Sequence, residues 1–224
     1  MKASVALIAL SLLGSSCGGD AAGNGAGRGS DEGCPGPAAR FATAVISHEF
    51  GPGQDHGQAA FPAPVLGPPS GEGCCRGSLQ VTSLGDGGFA VLEFGNTRIL
   101  DGPGPDFIVF ENAFLVDELD PASVFAELGV VSVSQDGASW ASYTCEATAH
   151  PYDGCAGWHP VLANPETNQI DPLDPLLAGG DPFDLADVGL EWARYVRIED
   201  RTEPDDDSAT FDLDAVGIVH AGCP

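Results

Sequence analysis

From about residue 41 onward, short apolar runs alternate with Gly, Pro, Asp and Asn. "FATAVISHEF" (41–50), "GFAVLEFG" (88–95), "TRILDG" (97–102), "DFIVFEN" (106–112), "GVVSVSQDG" (129–137), "ARYVRIED" (193–200) and "DAVGIVHAG" (214–222) each read as a strand. They are rich in β-branched and aromatic residues and bounded by turn formers. "GSLQVTSLG" (77–85) alternates, which predicts an eighth strand with Leu79 and Val81 sharing one face. No long amphipathic helix is visible. "PASVFAEL" (121–128) and "DPFDLADVGL" (181–190) each suit one or two helical turns.

Many short strands with Gly/Pro turns predict an all-β fold, a β-sandwich or jelly roll with long loops. Its expected core holds Val81, Leu92, Phe94, Ile108, Phe110, Val131, Val133, Val196 and Ile198, which places Phe107 and Val109 on the opposite face of their strand. The long segment 51–73 carries Phe61, Val65 and Leu66 and is expected to pack on the sandwich.

The N-terminus changes the setting. Lys2 gives a positive start, Val5 to Leu13 an apolar run too short to span a bilayer permanently, and "GSSC" leads to Cys17. Residues 1–16 therefore read as a lipoprotein signal peptide with Cys17 as the lipidated residue. The motif resembles a lipobox, although Leu13 lies one place early; an ordinary secretory signal is the alternative. Either reading exports the chain, and the first anchors it in the cell envelope, at the outer membrane or cell surface. Residues 17–33, rich in Gly, Ala and Asp, form a flexible tether, which leaves 34–224 as the β-sandwich domain.

With 8 basic and 33 acidic residues the net charge is −25, and the only lysine is Lys2. No basic face exists for nucleic acid or anionic lipid, so contact with the membrane would come through the lipid anchor alone. Cations are the natural partners. Excluding Cys17, six cysteines remain for an oxidising compartment: Cys34, Cys74, Cys75, Cys145, Cys155 and Cys223. Cys145 and Cys155 bracket a short polar loop and are expected to close it, while Cys34 and Cys223 would join the domain ends. Adjacent Cys74 and Cys75 either pair with each other or go separately to Cys34 and Cys223. No Cys-x-x-Cys pair points to zinc.

Candidate chemistry is acidic and aromatic. "HEFGPGQDH", with His48, Glu49, Asp55 and His56, spaces its histidines too widely for a helical zinc motif and contains Gly51, Pro52 and Gly53. Calcium takes six to eight oxygens from irregular loops. Asp101 and Asp106 in "DGPGPD", Glu111 and Asn112, and Asp212 and Asp214 in "FDLD" are the candidate ligands of a structural Ca²⁺. Further acids lie in "DPLDPLLAGGDPFD" and at Asp205 to Asp207. The plainer alternative makes these acids turn formers, with Asp212 and Asp214 on the outward face of a strand. Tyr152 and Trp158, in the polar loop region, are the candidate ligand platform for a sugar.

Three segments taken together, "GSLQVTSLGDGGFAVLEFGNTRILDGPGPDFIVFENAF", "VVSVSQDGASW" and "RYVRIED" with "FDLDAVGIVH", resemble a family of bacterial cell-surface proteins, some of them lipoproteins. The second and third are also similar to galactose-binding-like or discoidin-like sandwiches. The galactose-binding-like resemblance implies a non-catalytic module, often with a calcium in one loop, and carries over no residue-level sugar site; the expected role is binding of a glycan or surface-protein ligand, or adhesion. A glycan hydrolase using paired carboxylates and a purely structural envelope protein are the alternatives.

Overall fold

The computed structural model describes residues 39–201 and 210–223. The signal peptide, the tether, Cys17, Cys34 and Asp205 to Asp207 lie outside them. Among the described residues there are sixteen strands and three short 3-10 turns. The strands are β1 (Ala44–Glu49), β2 (Thr82–Ser83), β3 (Phe89–Glu93), β4 (Arg98–Leu100), β5 (Phe107–Phe110), β6 (Phe114–Leu115), β7 (Val124–Phe125) and β8 (Gly129–Ser134). They continue with β9 (Ala141–Ser142), β10 (Cys155–Ala156), β11 (Asp181–Phe183), β12 (Trp192–Ala193), β13 (Tyr195–Asp200), β14 (Asp212–Leu213), β15 (Ala215–Ile218) and β16 (Ala221–Gly222). The fold is all-β, as the run pattern predicts.

All pairings are antiparallel. The largest sheet runs β1-β3-β13-β8-β10, with β9 also on β8; a second runs β11-β5-β15, and a third β12-β4-β16. The main core draws on Leu92 of β3, Val131 and Val133 of β8, and Val196 and Ile198 of β13 from the first sheet. Phe107 and Val109 of β5 and Val216 and Ile218 of β15 enter it from the second. Burial in β13 alternates strictly, as a sheet with one face on a core requires. At the edge, β1 carries a bulge between Val45 and Ser47, which breaks its ladder and leaves Ile46 half exposed.

β5 departs from the expected pattern. Ile108 and Phe110 are buried, but so are Phe107 and Val109. The second pair faces the main core, and the first joins a smaller cluster with Val161, Ala163, Ala178 and Ala215. Loop segments around 161–178 cover what a simple two-layer picture leaves open. The long segment packs as expected, with Val65 fully buried and Phe61 and Leu66 against the core.

Two local expectations fail. Only Thr82 and Ser83 of "GSLQVTSLG" form a strand, so alternation does not extend back to residue 79: Val81 is buried, whereas Leu79 is 81% exposed. "PASVFAEL" begins in a turn at Pro121 and Ala122 and then forms β7, which pairs β6 with Phe125 stacked on Phe114 at a centroid distance of 5.1 Å. Of "DPFDLADVGL", only Leu185–Val188 is helical, a 3-10 turn capped by the Asp184 carboxylate.

Urea denaturation separates these positions. Ile198→Ala is expected to cost about 2–5 kcal/mol by leaving a cavity in the shared core, whereas Leu79→Ala should change stability by less than about 0.5 kcal/mol.

Candidate functional site

The candidate calcium ligands other than Asp214 divide between two places. Asp101 and Asp106 meet Asp184, with one carboxylate oxygen of each within 4.8 Å of the others. Asp106 is fully buried at the head of β5. Its Oδ1 accepts from the Gly102 N–H and from His220 Nδ1, both at 2.8 Å, and its Oδ2 accepts from the Leu185 N–H at 2.7 Å. Asp106 thus ties the 101–106 turn, the 3-10 turn and the end of β15 together. The turn must carry Gly102, because a Cβ there would lie 2.3 Å from the His220 ring.

Glu111 and Asn112, at the other end of β5, meet Asp212 of β14 and a residue the sequence pattern did not single out, Glu127. One carboxylate oxygen each from Glu111, Glu127 and Asp212 lie within 4.8 Å of one another. Glu111 is 1% exposed; its Oε1 accepts from the Asp212 N–H at 3.3 Å, while its Oε2 has no hydrogen-bond partner. Asn112 donates from Nδ2 to Asp212 Oδ2 at 3.4 Å, and its Oδ1 is also buried without a partner. Asp212 Oδ1 accepts from the Ser83 hydroxyl, and Glu127 Oε1 from the Thr210 N–H at 3.1 Å. Burial first, then the Glu127 and Asp212 charges, hold the Glu111 carboxyl well above its usual range. Burial also raises Asp212.

Asp214 joins neither group. It is buried rather than outward-facing, its Oδ2 accepts from the Ser70 N–H at 2.8 Å, and burial pushes its carboxyl up to about 7. The outward-face alternative therefore fails for Asp214, while Phe211 and Leu213 do point inward.

Tyr152 and Trp158 come together. Their ring centroids are 6.2 Å apart; His150 lies 5.3 Å from Trp158 and 6.0 Å from Tyr152, and His159 lies 3.6 Å from Trp158. All four are half-buried. The patch has a rigid base. Cys145 and Cys155 are bonded at a Cα separation of 4.4 Å, closing the loop, and β10 fastens Cys155 to β8. Buried Asp181 then accepts from the Gly157 N–H at 2.6 Å, the Trp158 N–H at 3.3 Å and His159 Nδ1 at 2.8 Å. Burial still raises its carboxyl, with His159 and the two N–H groups pulling the other way. His159 also lines an open groove of about 390 Å³, walled further by Cys74, Leu115, Leu162, Pro175 and Leu176. That size is within the range of small-molecule sites.

Cys74 and Cys75 are bonded to each other, and Cys223 is also in a disulfide. The histidine-rich stretch forms no cluster: His48 packs on the Phe50 and Phe61 rings, and His56 Nε2 bonds the Leu79 carbonyl.

The chain matches no family model and no curated protein.

Asp181→Ala removes the acceptor of two main-chain N–H groups and of His159. It should lower stability by about 1–3 kcal/mol in urea denaturation and change tryptophan emission as Trp158 loosens.

Proposed function

We propose that the chain is an exported, lipid-anchored, non-catalytic binding module of the galactose-binding-like jelly-roll kind, and that its ligand is a glycan of the cell surface or its surroundings. The observation that carries this reading is the aromatic patch of His150, Tyr152, Trp158 and His159, held by the Cys145–Cys155 bridge and by Asp181. Sugars present an apolar C–H face and a polar hydroxyl edge. Half-buried rings that combine an apolar face with a polar edge match both. Holding His150 and Tyr152 on a cross-linked loop, and Trp158 and His159 through Asp181, reduces the ordering cost of binding. The neighbouring groove extends the surface beyond one sugar ring, with His159 common to both.

Paired carboxylates for hydrolysis fit less well. Among the described residues, the carboxylates that converge outside the turn at Asp106 are Glu111, Glu127 and Asp212, and Glu111 is 1% exposed. A glycosidic bond cannot reach it without the surrounding loops opening. The lipid anchor rests on Cys17 and the apolar run before it.

A glycan array probed with the purified domain tests the ligand class. Trp158→Ala should weaken binding to any array hit at least about tenfold, with circular dichroism unchanged. No binding to any glycan by the wild-type domain overturns the reading. For the anchor, Cys17→Ala should move the protein from the membrane fraction to the soluble one; unchanged membrane retention refutes lipidation.

A further inference from the structure

We infer that Glu111, Asn112, Glu127 and Asp212 form a binding site for one hard divalent cation, calcium, which bridges the end of β5 to β14 and to the segment before β8. Two independent observations carry it. Three carboxylate oxygens converge within 4.8 Å. Within and next to this group, two buried oxygens are left without a hydrogen-bond donor: Oε2 of the cluster member Glu111, which is 1% exposed, and Oδ1 of the adjoining Asn112. Buried polar atoms are almost always paired, and an orphaned acceptor is a costly arrangement. A cation held by the three carboxylates would satisfy the orphaned Glu111 oxygen, which belongs to one of them, and would stand next to the orphaned oxygen of Asn112.

The surroundings fit a built site. Asn112 Nδ2 donates to Asp212 Oδ2, which orients the amide. The Asp212 N–H fixes Glu111 Oε1, and the Thr210 N–H fixes Glu127 Oε1. The backbone at Gly77 closes over the amide, where a Cβ would come within 2.6 Å of Asn112 Oδ1. The ligands come from three separate parts of the chain, so an ion here acts as a cross-link between them.

The donor set selects the ion. Four side chains offer oxygen only, which disfavours zinc and copper and suits calcium, magnesium or manganese. Irregularly placed carboxylates from three parts of the chain suit the larger, geometrically tolerant calcium better than octahedral magnesium.

The other two clusters lack these marks. In Asp101, Asp106 and Asp184, both oxygens of the buried member already accept strong donors. Beside Glu118, the sulfurs of Cys74 and Cys75 are bonded to each other.

The test uses the full exported chain stripped with EDTA, and involves no glycan, so its outcome is independent of the ligand proposed above. Calcium titration should raise the melting temperature by roughly 5–10 °C at a hundredfold excess over Kd. Calorimetry should give one site per chain. Asp212→Asn should weaken calcium binding at least about tenfold, whereas Asp101→Asn should leave it unchanged. Asn112→Asp adds a fourth carboxylate; it should lower the melting temperature in EDTA and enlarge the calcium-induced rise. No heat and no melting shift with calcium overturns the inference. So does loss of binding in Asp101→Asn with binding kept in Asp212→Asn, tighter binding of zinc than calcium, or an equal calcium shift in Asn112→Asp and wild type.

Discussion

Buried carboxylates that accept main-chain N–H groups from distant loops are the interaction on which this molecule most depends. Asp106, Glu111, Asp181, Asp200 and Asp214 are all buried, and each sits at or next to the end of a strand. Asp106 takes N–H groups from residues 102 and 185, Asp181 from 157 and 158, Asp200 from 87 and 211, Asp214 from 70, and Glu111 from 212. An all-β chain with long loops has many N–H groups outside its ladders, and each needs an acceptor if it is covered. Here the acceptors are side chains at strand ends, and they decide which loop lies over which sheet.

β5 shows why the ends matter. A strand with one wet face has its register set by alternation, because a slip by one residue would turn the wrong face inward. β5 has four apolar residues and no wet face, so alternation says little about its register. Asp106 and Glu111 bound it instead. A slip by one residue would pull Asp106 away from three donors and Glu111 away from Asp212. The acids therefore do for a two-sided strand what polar alternation does for a one-sided one.

Much of the fold was legible in the sequence, since apolar runs between turn residues are a local signal. β1, β3, β8, β13 and β15 fall inside the runs that predicted them, and the nine expected core residues are all buried. What a run cannot show is coverage by loops. The burial of Ile108 and Phe110, on the face away from the main core, depends on Val161, Ala163, Ala178 and Ala215, all more than fifty positions later in the chain. Within the acidic group, Glu111, Asn112 and Asp212 stood out because they adjoin strands and turns. Glu127 did not, because "FAEL" carries helix formers and gives no ligand spacing; its place is set by distant partners, its N–H donating to the Gly157 carbonyl and its Oε1 accepting from the Thr210 N–H. His159 was visible only as a neighbour of the cysteine loop. Its role depends on Asp181, which lies twenty-two residues later and looks in sequence like one more turn aspartate.

The Cys145–Cys155 bridge separates two kinds of constraint. Residues below it, in β8 and β10, must keep their ladder and their packing. Residues within it, including His150 and Tyr152, hang from a covalently closed base and carry few obligations to the core. Such a loop can change length and composition while the sheet beneath it keeps its register. Related chains could therefore diverge in what they recognise at this loop far faster than they diverge in fold.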